Sequence, residues 1–187
     1  MMNTPAGSAP APPFPAIEGE HWIEKLNDGS RVLIRPIRPE DRARESDLIK
    51  RLSPQARYFR FLGTMHEASP TLLDQLMNVD YRNTMAFVAL AHENGVLREV
   101  GVSRYGASSD AQRCECAITV ADDWHQRGLA VILMRHLIDM ARRKGFRQMF
   151  SIDAADNAPM HELAHYLGFR GAPDRSDATQ LIHTLDL

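Results

Sequence analysis

The chain has 187 residues, 44% of them hydrophobic and 25% charged, with a formal net charge of −2. That is the size of one ordinary globular domain, with enough apolar residues for a substantial core. The balance excludes a nucleic-acid binder that works by bulk positive charge, and no run approaches the roughly 18 consecutive apolar residues of a membrane span. The two cysteines, Cys114 and Cys116, are one residue apart. In a strand they share a face, as two buried thiols rather than a disulfide framework, which places the protein in a reducing, cytoplasmic setting.

Residues 1–17 carry no charged side chain and hold five of the chain's 11 prolines. A signal peptide needs a positive start and an uninterrupted apolar stretch, and this segment has neither. Residues 1–20 therefore read as a disordered, solvated, Pro/Ala-rich tail, with a proline-motif ligand for another protein as the lesser alternative. One domain is expected over residues 21–187.

Residues 31–37 (RVLIRPI) form a short β-rich run, and Pro39-Glu40-Asp41 opens a helix reaching about Leu52. Ser53-Pro54 breaks it and leads into the aromatic and arginine-rich segment 57–62 (RYFRFL). Ser69-Pro70 starts another helix, with Leu72, Leu73, Leu76 and Met77 at three-to-four spacing. Residues 85–90 read as a buried strand, Glu93-Asn94-Gly95 as a turn and residues 96–105 as the hairpin partner. Arg113–Val120 is a further strand. A long helix from about Arg127 to Arg143 is closed by Gly145, with Arg142, Arg143 and Lys144 at its negative end. Residues 148–153 are a strand, residues 158–167 a helix closed by Gly168, and residues 181–185 a last strand. Consecutive strands followed by strand–helix–strand predict a mixed α/β (α+β) sheet.

The most informative stretch runs from Cys114 to Ala130. A strand enters a turn whose Gly128 and small Ala130 let the backbone approach a ligand, and the next helix begins with unpaired amides. Free N–H groups and the positive end of the helix dipole make an anion site, with phosphate the expected anion; a plain tight turn is the alternative reading. Neither the ATP-type loop G-x-x-x-x-G-K-[ST] nor the dinucleotide fingerprint G-x-G-x-x-G is present.

His125-Gln126-Arg127-Gly128-Leu129-Ala130 resembles the coenzyme A pyrophosphate loop [QR]-x-x-G-x-[GA] of the GNAT acetyltransferase family, with His125 in place of the usual Gln or Arg. Asn157, opening a helix that ends in Leu167-Gly168-Phe169, resembles that family's asparagine and closing L-G-F. A narrower similarity, carried by residues 28–41, 52–61 and 115–120, is to the acetyltransferase domain of the bacterial Pat-type protein-lysine acetyltransferases. Those proteins usually carry an additional regulatory domain, for which this chain has no room.

The resemblance implies the GNAT acyl-CoA N-acyltransferase fold, a central, mostly antiparallel sheet flanked by helices, with a splayed strand pair binding coenzyme A. It implies acetyl-CoA as cosubstrate and transfer of the acetyl group to a primary amine by direct attack in a ternary complex. Glu115 takes the role of general base, because only about one lysine-like amine in ~2,500 is neutral at pH 7 and some group must accept the proton; a solvated or ion-paired glutamate is the alternative. The backbone at Ile118, Thr119 and Val120 would pair with the pantetheine arm and supply the oxyanion donor. Amides of Gln126, Arg127, Gly128, Leu129, Ala130 and Val131 would hold the pyrophosphate, and Asn157 the pantetheine. The family's usual acid, a tyrosine, is Ala164 here, and Tyr166 lies on another face of the helix, so no acid is carried over. A protein lysine is the expected acceptor, with a small-molecule amine or a non-catalytic acetyl-CoA sensor module as alternatives. No metal, nucleic acid or membrane is expected, and the oligomeric state is open.

Arg57, Tyr58, Arg60 and Phe61 either line the acceptor entrance or form a core-facing aromatic pair with exposed arginines. Trp124 reads as a packing residue, and Asp122 and Asp123 as caps of local amides. His161-Glu162-Leu163-Ala164-His165 is a literal H-E-x-x-H, but the longer zinc pattern places its third ligand at 171, which is Gly171. A zinc enzyme is set aside on that ground.

Overall fold

The structure, a computed structural model, describes residues 19–187. The tail expected over residues 1–20 therefore lies almost wholly outside the described residues. One eight-stranded sheet has the order β1-β2-β3-β4-β5-β6-β8-β7. Its strands are β1 (Trp22–Lys25), β2 (Arg31–Pro36), β3 (Thr84–Glu93), β4 (Val96–Ala107), β5 (Arg113–Val120), β6 (Gln148–Ala154), β7 (Arg170–Pro173) and β8 (Gln180–Asp186). Every neighbouring pair is antiparallel except β5 and β6, which are joined by a single crossover helix. Five helices flank the sheet: α1 (Arg42–Arg51), α2 (Pro54–Phe61), α3 (Pro70–Met77), α4 (Leu129–Arg143) and α5 (Ala158–Tyr166).

The predicted hairpin forms, with Glu93 paired to Val96 across Asn94-Gly95. Helix α4 buries Leu129, Leu133, Met134, Leu137, Ile138 and Ala141 at helical spacing, which seats one apolar stripe on the middle of the sheet. Cys114 and Cys116 are both buried and unpaired, as their shared face predicts. The long helix begins at Leu129 rather than Arg127, because Gln126 and Gly128 adopt left-handed φ values of 60° and 84° and hold the preceding turn open.

Two strands and a helix go beyond the sequence expectations. The segment read only as aromatic and arginine-rich is helix α2. The Ser53 hydroxyl caps the Ala56 amide at 3.2 Å, Pro54 fits the first turn, and Arg57 donates to the Leu52 carbonyl at 2.6 Å. Strand β1 is four residues of alternating exposure held by pairing with β2. Strand β7 (RGAP) has little β propensity and exists through its pairing with β8.

Helix α1 presses acidic residues onto the sheet. Asp41, immediately before it, is fully buried and takes both Arg35 Nη atoms at 2.6 and 2.8 Å, with Arg44 and the Arg38 amide completing its shell. One turn on, Glu45 pairs with Arg104 at 2.8 Å. Register shifts between Ala89 and Leu90, leaving Val100 as an extra residue on β4, and this bulge lies beside Glu99. Glu99 is 1% exposed; burial first, then the adjacent Glu45 carboxyl, raises its pKa well above the usual carboxylate range.

Candidate active site

Strands β5 and β6 pair only at Arg113–Gln148, Cys114–Met149 and Glu115–Phe150. Beyond Glu115 they diverge: β6 continues along β8 while β5 continues along β4. The gap is the floor of a cavity of about 970 Å³, bordered by α2, the end of β5, the turn before α4, and α5.

The direction of the free edge follows from the ladder. The Ala121 N–H donates to the Val100 carbonyl and the Ser108 N–H to the Arg113 carbonyl. Antiparallel bonding alternates, so the main-chain groups of residues 115, 117 and 119 face β4, and those of Cys116, Ile118 and Val120 face the gap. The Val120 carbonyl is taken by His125 Nε2 at 3.0 Å, and since a carbonyl only accepts, Nε2 carries the proton. This leaves the Ile118 and Val120 amides open toward the cleft.

At the cleft's anionic end, left-handed residues at Gln126 and Gly128 turn successive amides inward, the arrangement that cradles anions. The first α4 amide with an intrahelical partner is that of Ile132, bonded to the Gly128 carbonyl, so the amides of Leu129, Ala130 and Val131 stay free. No acidic residue sits in the first turn. Asn157 Oδ1 caps α5 by accepting from the Met160 amide at 3.3 Å, and its Nδ2 has no partner among the described residues. An unpaired strand edge, a run of free amides and a free carboxamide donor fit an extended pantetheine arm ending in a pyrophosphate.

The cleft brings together Glu115, Ile118, Thr119, Val120, Gln126, Gly128, Leu129, Ala130, Val131 and Asn157. Arg127 does not border it. Its guanidinium bonds Asp28 at 3.0 Å and the Asp123 carbonyl at 2.6 Å, and lies 4.5 Å from the Trp124 ring centroid. Trp124 packs as expected, with Nε1 donating to Glu93 at 2.8 Å. Asp122 caps at long range rather than locally, accepting from the Ser53 amide and hydroxyl at 2.8 Å each and so tying α2 to the loop.

The four α2 residues divide. Arg57 ties down the end of α1, Tyr58 is exposed away from the cleft, and Arg60 and Phe61 border it. The Arg60 side chain is half-buried and stands 4.9 Å from the Phe61 ring centroid. Burial and then the nearby Arg104 push its pKa down to about 10, while Glu45 and Glu115 oppose the shift. Glu115 is exposed at the cleft mouth, on the sheet face shared with Phe150.

Polar residues that sequence reasoning missed line the other face. Asp153 borders the cleft and accepts from the Ser151 hydroxyl at 2.6 Å, with His183 Nδ1 2.9 Å away at the same oxygen. The available signal was a serine and an aspartate at the inward positions of strand 148–153, where an apolar residue belongs. His161 of the H-E-x-x-H run faces the Ala154 carbonyl at 3.2 Å and packs on His183, whereas His165 is exposed. Among the described residues no group of three His, Cys, Asp or Glu side chains could hold a metal.

Comparison with known proteins agrees with this geometry. Residues 53–169 match the Acetyltransferase (GNAT) family. The chain is 60% identical over 174 residues to Acetyltransferase PA5475 of Pseudomonas aeruginosa, covering 93% of this chain and 94% of that one. It is 28% identical over 145 residues to Acetyltransferase Pat of Mycolicibacterium smegmatis, covering 77% of this chain but 43% of that protein. In fold it resembles the GNAT domain of S. lividans PAT, with a TM-score of 0.81 at 22% identity over 89% of this chain and 97% of that one. It also resembles yncA of Salmonella typhimurium, a putative acetyltransferase solved with its cofactor acetyl-CoA, with a TM-score of 0.64 at 22% identity over 83% and 94% of the two chains. The chain belongs to the GNAT acetyltransferase family and is an N-acetyltransferase that draws its acetyl group from acetyl-CoA.

Proposed function

We propose that this enzyme acetylates a protein lysine by direct attack, with Glu115 as general base. The observation that carries the reading is the splay of β5 from β6, which opens the sheet between two chemically different faces. Glu115 lies on the face shared with Phe150 and bordered by α2, where an acceptor amine would enter. The cofactor would lie along the Ile118 and Val120 amides with its pyrophosphate on Gln126, Gly128 and the first amides of α4. Arg127 would take part only through its main chain. Glu115 is exposed at the cleft mouth, within reach of a side chain presented by a partner. The likeness to the Pat-type acetyltransferases supports a lysine, and the unpaired thiols Cys114 and Cys116 suit a cytoplasmic enzyme.

An ammonium near pKa ~10.4 must lose its proton at a cost of about 4.6 kcal/mol at pH 7. Glu115 accepts that proton, directly or through one water. The freed nitrogen attacks the thioester carbon, and the oxygen that gains charge is met by the Ile118 or Val120 N–H. Collapse breaks the C–S bond, its electron pair leaves on the coenzyme A sulfur, and the nitrogen gives up its second proton to solvent as the amide product forms.

The test is Glu115→Gln assayed on acetyl-CoA and lysine-containing proteins. Turnover is expected to fall at least ~100-fold while acetyl-CoA affinity stays within about twofold. Unchanged turnover removes Glu115 as the base. Preference for small amines over every protein lysine would replace the acceptor assignment.

A further inference from the structure

We infer that Asp153, backed by His183, is the acid that returns a proton to the thiolate leaving the cofactor. The inference rests on the direct-attack reading above and supplies what Ala164, without a hydroxyl, cannot.

Faces come first. The parallel register sets Glu115 beside Phe150, so Glu115 shares a face with Phe150 and Ile152, while Cys116 shares the opposite face with Ser151 and Asp153. Base and candidate acid thus stand on opposite sides of the same splay. A thioester in that gap exposes its carbonyl carbon to an amine from the Glu115 side and leaves its sulfur toward Asp153.

Next is the cost of the arrangement. Ser151 is 1% and Asp153 8% exposed, on a strand whose preceding inward residue, Met149, is fully buried core, and His183 on the neighbouring β8 is 4% exposed. Three polar side chains here break the apolar pattern of a buried strand face, a departure expected at a functional site. Their bonds all converge on one oxygen, Asp153 Oδ2, which receives the Ser151 hydroxyl at 2.6 Å and faces His183 Nδ1 at 2.9 Å. Oδ1 takes part in none of these bonds, on a residue that borders the cleft.

The proton inventory is simple. In its competent form the pair is electrically neutral: His183 Nδ1–H donates to Oδ2 and the acid proton sits on Oδ1. When the C–S bond breaks, its electron pair goes to sulfur, which takes the proton from Oδ1. The pair is left with charge −1 and regains a proton through the His183 ring. The half-buried His161 ring lies 5.2 Å from His183 between centroids. The titratable groups around Asp153 are His183 from β8, bonded to it, the buried Cys116 thiol from β5, and on α5 His161, packed on His183, and Glu162 at the cleft border. Glu115 acts from the opposite face.

Asp153→Asn keeps the shape and removes the acid. With acetyl-CoA and a lysine peptide, its kcat is expected to fall at least ~100-fold, with acetyl-CoA affinity within about twofold. A second readout needs no acceptor: the near-ultraviolet thiolate absorbance of bound coenzyme A, measured against bound dethio-coenzyme A to cancel Cys114 and Cys116. Loss of the Asp153 negative charge beside the sulfur should let the bound thiol ionise at least about one pH unit lower. Wild-type kcat and an unchanged thiol titration in Asp153→Asn overturn the inference. If that variant does not fold, His183→Asn decides: at least ~10-fold lower kcat, partly restored by added imidazole, supports the relay, and full kcat overturns it. If wild type binds acetyl-CoA but leaves the peptide untouched, the acceptor assignment fails while the thiol titration still judges Asp153.

Discussion

Gly128→Ala tests the anion loop at its most constrained residue. Gly128 holds φ at 84° immediately before α4, and an added Cβ would lie 3.0 Å from Asn27 Nδ2 and 3.3 Å from its Cγ. Asn27 is exposed, so its amide tip can swing aside, but its backbone is fixed by the 3.0 Å bond from its N–H to the Arg127 carbonyl. Left-handed backbone costs an alanine roughly 1–2 kcal/mol. That strain either stays in the loop and lowers stability, or is relieved by turning the loop amides away and is then repaid on binding. Stability loss and binding loss should therefore sum to at least about 1–2 kcal/mol. For a chain of this length the first outcome lowers Tm by about 2–8 °C; the second weakens acetyl-CoA binding by about 5- to 30-fold. Gly145→Ala is the control. It has φ 87° with nothing within 4 Å of the added Cβ, so it should lose a similar Tm and bind acetyl-CoA as wild type does. Thermal unfolding with calorimetric titration of the three proteins reads both quantities. A Gly128→Ala protein with wild-type Tm and wild-type affinity refutes the reasoning.

Two further variants probe the charges under α1. Because the folded state raises Glu99 well above its ordinary value of 4.5, the folded protein holds a proton that the unfolded chain releases, so stability falls as pH rises between those two values. Glu99→Gln should remove this slope, worth up to about 1.4 kcal/mol per pH unit; urea unfolding from pH 5 to 8 should show the variant gaining on wild type, and parallel curves would count against a protonated Glu99. Asp41→Ala strands the Arg35 guanidinium, 7% exposed, without its two-point partner. A loss of roughly 3–5 kcal/mol in urea unfolding is expected, and a loss below about 1 kcal/mol would show that Arg35 finds water or another acceptor.

Much of this protein was legible in the order of its residues because the signals are local. Alternation in Arg113–Val120 placed Glu115 and the two cysteines on opposite faces, and the Asn94-Gly95 turn set the register of β3 against β4. Glycine at 128, followed by helix-forming residues with no acid in the first turn, announced a helix start with open amides. The aromatic bias of RYFRF hid α2, whose helix depends on the Ser53 cap and the Arg57 bond to the end of α1. Strand β7 was hidden because pairing, not propensity, makes it.

What the sequence determined by itself was the strand, the turn and the helix start that carry the chemistry, since each is written within a few consecutive residues. What the tertiary structure decided was which distant groups meet. The splay of β5 from β6 opens the Ile118 and Val120 amides, Asp28 and Trp124 draw Arg127 out of the cleft, and β8 brings His183 to Asp153 across 30 residues of chain. Such contacts depend on sheet order and register, which link residues far apart in sequence and leave no pattern in either segment alone.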